Sequence, residues 1–358
     1  MNLEKPFKGL KVIELASVLA GPAVGMFFAE LGANVIKVEN KKTMGDVTRS
    51  WKLASEDQNH PFSAYYSSVN WGKQSIFLDL KVESEFNQLL EEIKTADIVI
   101  CNFKPGGAVK FGLDYASIKI INSNIIYGEI TGFGKEDRLA YDIVLQAETG
   151  YISMNGSDIN NQVKMPVAFI DLFAAHQLKE GILIALLQQQ KEKKAYCISV
   201  SLFDTALASL TNQATNWIVA KHIPEPLGML HPNIAPYGER FTCKDGKDIV
   251  LAIGSNGQFK KLCDTLNLSD LMSDQRFENN QKRVLNRTAL AKELAPAFKH
   301  KQRGTLMEDL IKNEVPAGAV RNMKEVFEIP ASKSRIIESE LNGEKLSSLS
   351  ANAFTIVS

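Results

Sequence analysis

The sequence predicts an α/β fold built on a doubly wound parallel sheet, and two observations support this prediction. Short β-branched runs at residues 11–15 and 34–39 read as strands, and a helix is predicted between them over residues 23–31. Pro22 suits the first turn of that helix, and Gly32 suits its end. Alternation of strand and helix at this spacing is typical of a parallel sheet with helices on both faces.

The same alternation continues along the chain. Further strands are predicted at 75–80, 97–103, 124–130 and 198–202, and further helices at 83–95, 172–190 and 203–220. A hairpin is predicted from residues 240–243 and 248–253, after a stretch rich in Pro and His. We therefore expect a large Rossmann-like domain over residues 1–220, a linker over 221–236, a small α+β domain over 237–320 and a return segment over 321–358 that packs on the large domain. The last forty residues show only weak patterning.

Composition excludes several functional classes. The 358 residues are 45% hydrophobic, which allows a large core and favours two domains. Lys plus Arg and Asp plus Glu both number 41, so the basic excess of a nucleic-acid or anionic-membrane binder is missing. The four cysteines form no CxxC pair, which favours free thiols. With a polar N-terminus and no apolar run near ~18 residues, we expect a cytoplasmic location.

The segment after the first strand resembles a dinucleotide site only superficially. A GxGxxG fingerprint is required there, but residues 16–22 contain the single glycine Gly21. An NAD-dependent oxidoreductase is therefore a remote alternative. No HExxH, GxSxG or GxxxxGK[ST] motif occurs, and the five histidines lack metal-ligand spacing, so we expect no metal site. His176 fits a packed helical residue better than a catalyst.

Polar insertions follow several predicted strands, at the edge where open α/β sheets bind ligands. They are residues 17–22, 70–75, 102–107 and 131–142, together with Asp171. Taken alone, Lys73 and Lys104 also fit ordinary surface lysines. Asp171 directly precedes the predicted helix 172–190, so it fits a helix N-cap as well as a reactive carboxylate.

Several segments resemble the class III CoA-transferases, a family that includes formyl-CoA:oxalate and carnitine CoA-transferases and the related α-methylacyl-CoA racemases. They include FKGLKVIELASVLAGPAVGMFFAELGANVIKVEN (7–40), NWGKQSIFLDLK (70–81), ADIVICNFKPGGAVKFGLDY (96–115) and HPNIAPYGERFTCKDG (231–246). The matches keep their order over nearly the whole chain. The resemblance implies a CoA-binding Rossmann-like domain, a small domain and two subunits that interlock as a homodimer.

The same resemblance implies the chemistry. Asp171 matches the family's invariant aspartate, which attacks the thioester of an acyl-CoA to give a mixed anhydride and then an aspartyl-CoA thioester. A carboxylic acid receives the CoA, and coenzyme A is a substrate, so no tightly bound cofactor is expected. Tyr141 would place its hydroxyl near the thioester. Gly254 and Gly257 would frame a loop whose N–H groups stabilise an oxyanion.

The matched CoA-binding positions are Val18, Leu19, Ala20, Asn40, Lys73, Asn102, Phe103 and Lys110. Lys73 and Lys110 would act as point charges for the CoA phosphates. Leu19 replaces a glutamine of the formyl-CoA enzyme, which argues against oxalate/formate exchange. Asn40 replaces an arginine, so one phosphate or adenine contact is expected to differ.

Two alternatives within the family stay open. A racemase needs two opposed acid/base groups, and that branch has a histidine at the position of Tyr141 and a glutamate near Asn256. Neither residue present here replaces those bases readily, which favours the transferase. A non-catalytic CoA-binding homologue is the second alternative.

Overall fold

The computed structural model of the chain describes residues 5–355. Its strands, in chain order, are β1 (Lys11–Leu15), β2 (Asn34–Asn40), β3 (Gln74–Leu78), β4 (Ile98–Cys101), β5 (Ile126–Thr131), β6 (Tyr196–Ser201), β7 (Tyr237–Thr242), β8 (Asp248–Ala252), β9 (Ala317–Ala319), β10 (Ile336–Leu341) and β11 (Glu344–Leu349).

The α-helices include several of only four or five residues. In chain order they are α1 (Ala20–Glu30), α2 (Ala64–Ser67), α3 (Glu83–Lys94), α4 (Gly107–Phe111), α5 (Tyr115–Ile121), α6 (Asp142–Glu148), α7 (Tyr151–Met154), α8 (Phe169–Gln189), α9 (Leu202–Ser209), α10 (Asn212–Ala220), α11 (Asn256–Leu266), α12 (Asn280–Leu285), α13 (Arg287–Lys299), α14 (Arg303–Lys312), α15 (Met323–Phe327) and α16 (Pro330–Lys333).

Six of the described strands form one parallel sheet, in the order β3-β2-β1-β4-β5-β6. The register places Val12 of β1 opposite Val35 of β2 on one side and Ile98 of β4 on the other. The strand order reverses at β1, so a crevice forms between the carboxyl ends of β1 and β4, where such sheets hold their ligands. The prediction of an α/β fold with a parallel sheet is confirmed.

Both faces of this sheet are buried, because alternate strand residues point to opposite sides. One face packs on α1 and α8 through Val12, Val35 and Ile98, and the other packs on α3 and α5 through Ile13, Ile36 and Val99. Burial on both faces explains why the strands read as continuous apolar runs instead of alternating ones.

Helix α1 lies unusually close to β1, and glycine permits the approach. A Cβ atom on Gly25 would lie 1.9 Å from Oε2 of Glu14, a fully buried residue of β1. One turn earlier, a Cβ atom on Gly21 would lie 2.3 Å from the Cβ atom of Ala16. The two glycines therefore fix how near the first helix comes to the central strand.

Two predicted helices have different bounds in the structure. The predicted helix 172–190 begins at Phe169, and its N-cap position is Ala168, so Asp171 lies inside the first turn. The interpretation of Asp171 as an N-cap is therefore wrong. The predicted helix 203–220 is two helices, α9 and α10, separated where Thr211 takes a left-handed φ of 47°.

The chain forms two compact units, of which the second contains residues 152–163 and 224–330. Its sheet has the order β7-β8-β9, is antiparallel, and includes the predicted hairpin as β7 and β8. Its core packs β8 residues such as Ile249 against Leu262 of α11 and Phe298 of α13. The domain boundaries given above stay a prediction.

The first unit contains the parallel sheet and also residues 331–355, which include a β-hairpin. Its two-residue turn is Asn342-Gly343, with left-handed φ values of 53° and 86° that suit a type I′ turn. Leu341 and Leu346 are buried against Phe62 and Tyr66. The segment that shows only weak patterning in sequence is thus an ordered hairpin.

Replacing Gly25 with Ala tests the close approach of α1 to β1. The added methyl group would overlap the Glu14 carboxylate, so we expect Gly25→Ala to lower the free energy of unfolding by about 1–3 kcal/mol. Urea denaturation measures the change. Gly304→Ala is the control, since a Cβ atom there meets no atom within 4 Å, and it should not destabilise. Equal stability of Gly25→Ala and the wild type would contradict the packing argument.

Candidate active site

A cavity of about 1460 Å³ follows the carboxyl ends of the parallel strands in the first unit. The chain that leaves each of the strands β1 to β5 contributes to its wall, namely residues 15–20, 37–47, 77–81, 102–105 and 130–132, with position 41 as the one gap. Residues 137–141, Asp171 and Asn342 also line the cavity. The volume exceeds that of ordinary small-molecule sites, roughly 300–1,000 Å³, and suits a long substrate.

Eight of the residues predicted from the sequence line this one cavity. They are Val18, Leu19, Ala20, Asn40, Asn102, Phe103, Tyr141 and Asp171. The predicted site residues Lys73, Lys110, Gly254 and Gly257 are not among the lining residues. Eight of the twelve predicted site residues therefore lie along one cavity, and their roles stay predictions.

The carboxylate of Asp171 is held in the first turn of α8, where it is half-buried in the cavity wall. Within residues 5–355, no hydrogen bond or ion pair engages it. Burial, and secondly the negative charge of Asp142, raise the pKa of Asp171 to about 7. A carboxylate with a raised pKa and no donor bonded to it is a better nucleophile than an ordinary surface aspartate.

Asp142 positions the helix that carries Asp171. Its Oδ2 accepts the N–H of Ile170 at 2.8 Å, which satisfies one of the free donors in the first turn of α8. Gln146 donates to its Oδ1. The same carboxylate therefore anchors the helix start and raises the pKa of the neighbouring Asp171.

Two tyrosines accompany the carboxylate. Tyr141 occupies the N-cap position of α6, lines the cavity and is 58% exposed, so its hydroxyl is open to a substrate. Burial, followed by the charges of Asp171, Asp142 and Asp46, raises the pKa of Tyr65, which places its phenol in the field of these carboxylates. The ring of Trp51 meets Tyr65 edge-on at 5.1 Å. Sequence reasoning did not identify Tyr65 or Trp51.

Five lysines that sequence reasoning did not predict as site residues line the cavity, namely Lys37, Lys42, Lys52, Lys81 and Lys104. Lys42 pairs with Asp79 at 2.9 Å and is well exposed, whereas Lys81 and Lys104 are exposed and have no ion pair within the described residues. Each lies three residues after the end of a strand, β3 for Lys81 and β4 for Lys104, so their place near a strand end was a readable signal.

Lys73 lies inside the first unit and is not among the residues that line the cavity. Its side chain is almost fully buried, and its ammonium contacts Glu14 at 2.7 Å, the carbonyl of Pro22 at 2.9 Å and Asn70 at 2.9 Å. Burial lowers its pKa to about 8. An ammonium enclosed by these three groups joins α1 to β1, and its predicted contact with a CoA phosphate stays a prediction. Lys110 lies exposed on α4, and its predicted role stays a prediction.

The predicted glycine loop belongs to the second unit, between β8 and α11. The N–H of Gly254 donates to Oε1 of Gln258 at 2.8 Å, and Ser255 forms a capping box with Gln258. Gly257 lies in the first turn of α11. The loop is therefore ordered by its own helix cap, and its predicted part in oxyanion stabilisation stays a prediction.

No helix within residues 5–355 is long and apolar enough to cross a membrane. Nor do the described His, Cys, Asp and Glu side chains form a group that could hold a metal ion.

The family model for CoA-transferase family III matches residues 7–356. The match spans nearly the whole chain, which belongs to CoA-transferase family III. The resemblance inferred from the sequence and the predicted enzyme class are therefore confirmed.

Similar proteins agree with this membership. The succinate–glutarate CoA-transferase of Agrobacterium fabrum is 36% identical over 350 residues, which cover 96% of this chain and 87% of that protein. The acetyl-CoA:oxalate CoA-transferase of Acetobacter aceti is 33% identical, over 92% of this chain and 84% of its own length. The crystal structure of a CAIB/BAIF family protein from Brucella suis matches with a TM-score of 0.87 and 37% identity, over 99% of this chain and 93% of that one.

Replacing Asp142 with Asn tests its electrostatic effect on Asp171. The amide keeps an oxygen for the Ile170 N–H but removes the charge, so the pKa of Asp171 should fall from about 7 towards its ordinary value. The pH of half-maximal kcat should therefore fall by roughly one pH unit, because the predicted role of Asp171 as a nucleophile requires its ionised form. Rates between pH 5 and 8.5 measure this. Glu148→Gln on the same helix is the control, and an unshifted profile for Asp142→Asn would contradict the assignment.

Proposed function

We propose that this family member transfers CoA between an acyl-CoA and a carboxylic acid, with Asp171 as a covalent nucleophile. The observation that carries the proposal is the Asp171 carboxylate, which is unpaired within residues 5–355, has a pKa of about 7 and lies in the wall of a cavity with volume enough for a CoA thioester. At neutral pH a large share of this carboxylate is ionised and ready to attack.

The proposed reaction proceeds through four exchanges at Asp171. A carboxylate oxygen attacks the thioester carbonyl, the C–S bond breaks, and CoA leaves as a thiolate from a mixed anhydride. The thiolate then attacks the aspartyl carbonyl, which releases the donor acid and leaves an aspartyl-CoA thioester. The acceptor carboxylate attacks that thioester, its C–S bond breaks, and CoA leaves again as a thiolate from a second mixed anhydride. Attack of the thiolate on the acceptor's carbonyl yields the new acyl-CoA and restores the Asp171 carboxylate.

The cavity wall supports a placement for CoA. Val18, Leu19 and Ala20 line one side at the switch point of the sheet, with Asn102 and Phe103 after the neighbouring strand. We assign the CoA phosphates to Lys81 and Lys104 in place of Lys73, because exposed lysines without ion pairs retain their charge for an anion. Asn40 lies on the same wall and offers a neutral carboxamide at the position where the formyl-CoA enzyme has an arginine.

The acid is proposed to be a short dicarboxylic acid. The two named relatives act on succinate and glutarate in one case and on oxalate in the other, and all three are dicarboxylic acids. Asp171, Tyr141 and the unpaired lysines belong to one cavity, which supports binding of a polar acid beside the thioester. A cytoplasmic location stays a prediction.

We also propose a homodimer, supported by apolar side chains that the first unit leaves exposed. On α10, Trp217, Ile218 and Val219 are 49%, 64% and 82% exposed, and on α8, Ile184 and Leu187 are 59% and 60% exposed. Large apolar side chains left exposed to water commonly mark a protein interface. Burial against a second copy would remove them from water.

Trapping with hydroxylamine tests the covalent step. Incubation with succinyl-CoA and hydroxylamine should convert Asp171 into its hydroxamate, because anhydrides and thioesters react with this amine faster than a carboxylate does. Mass spectrometry after trypsin measures it on the peptide 165–179 (MPVAFIDLFAAHQLK), in which Asp171 is the only acidic residue. Asp137, also in the cavity wall, serves as an internal control and should stay unmodified.

The outcomes separate the remaining alternatives. Asp171→Ala should abolish both the hydroxamate and CoA transfer to glutarate, lowering the rate by at least about 10³-fold. Exchange of the α-proton of an acyl-CoA in D₂O without any transfer would replace the transferase with a racemase. Binding of CoA without either reaction would leave a non-catalytic homologue.

Light scattering after size-exclusion chromatography tests the dimer. The wild-type chain should elute with twice the mass of one chain, and Ile218→Lys with Val219→Lys should shift it towards the monomer, because buried lysines lose their hydration. Ile120→Lys is the control, since Ile120 is 87% exposed on α5, far in sequence from α10. A monomeric wild type would overturn the dimer, and a dimer that tolerates both lysines would remove α10 from its interface.

A further inference from the structure

The loop between β1 and α1, residues 16–19, is held by buried charged side chains. Lys37 of β2 donates to the carbonyl of Ala16 at 2.7 Å. The Oδ2 atom of Asp46 lies 3.1 Å from the Lys37 ammonium and accepts the N–H of Val18 at 3.1 Å. One buried ion pair therefore binds backbone atoms on two sides of Ser17.

A second contact holds the residue between them. The side-chain amide of Asn102, which follows β4, accepts the N–H of Ser17 at 3.0 Å and donates to its carbonyl at 2.8 Å. The Asn102 amide therefore bonds Ser17 as a backbone peptide group of a neighbouring strand would, at the switch point of the sheet. Four backbone polar atoms of the loop are thus bound by the side chains of Lys37 in β2, Asp46 after β2 and Asn102 after β4.

The loop needs this restraint because Val18 has a left-handed φ of 72°. A β-branched residue is a genuine outlier there, since its Cβ atom crowds the backbone. Such conformations persist only where the surroundings impose them, and they gather at ligand sites. Val18 and Leu19 line the cavity at this point.

The charged groups behind the loop are fully enclosed. Lys37 is 1% exposed, and Glu14, which accepts from its ammonium at 2.9 Å, is 0% exposed. Burial alone would lower the pKa of Lys37, but the charges of Glu14, Asp46 and Glu39 outweigh it and raise the pKa. Lys37 therefore stays an ammonium, and Asp46 stays a carboxylate with lowered pKa beside it.

We propose that Asp46, held by Lys37, is a positioning residue for acyl-CoA: it keeps Val18 in its left-handed conformation so that the backbone of residues 18–20 lies along the bound CoA. This inference rests on the proposed function, and it adds a residue that does not itself meet the substrate's reacting atoms. Release of Val18 to an ordinary φ would rotate the peptide that follows it and change the wall of the cavity. CoA binding would weaken, while Asp171 would keep its chemistry.

Replacing Asp46 with Asn is the sharpest test, because the Lys37 ammonium meets Oδ2 and the Val18 N–H lies closer to Oδ2, at 3.1 Å, than to Oδ1, at 3.3 Å. Oδ1 caps the turn at Thr48, with its N–H at 3.0 Å, and an asparagine oxygen can keep that bond. The NH₂ group of the asparagine then takes the place of Oδ2. It is a hydrogen-bond donor, so it cannot accept from the Lys37 ammonium or the Val18 N–H. We expect the Kd for CoA, from titration calorimetry, and the KM for acyl-CoA to rise about tenfold. The kcat should change by less than about twofold.

A double-mutant cycle with Val18→Gly distinguishes positioning from general damage. Glycine adopts φ > 0 without crowding, so it needs no restraint there. The factor by which Asp46→Asn raises the Kd for CoA should be at least about threefold smaller in the Val18→Gly background than in the wild type. Glu91→Gln on α3, an exposed carboxylate paired with Lys94, is the matched neutral control.

Each outcome decides the proposal. The proposal would be overturned if Asp46→Asn left the Kd for CoA unchanged or lowered only kcat. It would also be overturned if Asp46→Asn raised the Kd for CoA by the same factor in the wild type and in Val18→Gly. Should Asp46→Asn not fold, Asn102→Ala takes its place in the cycle, with the same coupling to Val18→Gly required. A wild-type chain that binds no CoA would instead refute the proposed function, which is a separate result.

Discussion

The ammonium group of Lys37 is buried on β2 between two carboxylates and a backbone carbonyl. It lies 2.9 Å from Glu14, 3.1 Å from Asp46 and 2.7 Å from the carbonyl of Ala16. A buried ammonium costs several kcal/mol in lost hydration unless such partners surround it, and removing one partner leaves the remaining charges uncompensated. The position of the cavity wall after β1 therefore depends on the charge state of residues inside the sheet.

The same network continues away from the sheet. Glu39 accepts the N–H of Asp46 at 2.7 Å, bonds the guanidinium of Arg49, and accepts the hydroxyl of Tyr66 at 2.9 Å. Three buried carboxylates and three buried cations balance in charge across it, namely Glu14, Glu39, Asp46, Lys37, Lys73 and Arg49. In contrast, Asp171 has no such partner among residues 5–355. Paired charges hold the cavity wall, whereas the carboxylate that we propose as the nucleophile is unpaired in this part of the chain.

The parallel sheet was predictable from local pattern, whereas much of the site depends on contacts between distant segments. The place of Asp171 in its helix could not be read, because Ala168, the N-cap of α8, has no capping side chain and the cap comes from Asp142, 28 residues upstream of Ile170. Lys73 was also ambiguous. A lysine before a strand has the same sequence pattern whether its ammonium meets a phosphate or a buried carboxylate.

The β10–β11 hairpin, by contrast, was readable and was missed. Asn342-Gly343 between two alternating runs is among the strongest local hairpin signals. Its turn lines the cavity, and yet residues 224–330 separate it in sequence from the rest of its unit. A ribosome must therefore synthesise the entire second unit before this wall exists. A growing chain that has already folded its parallel sheet still has an open cavity, so a prematurely terminated product would keep the sheet and lose part of the site.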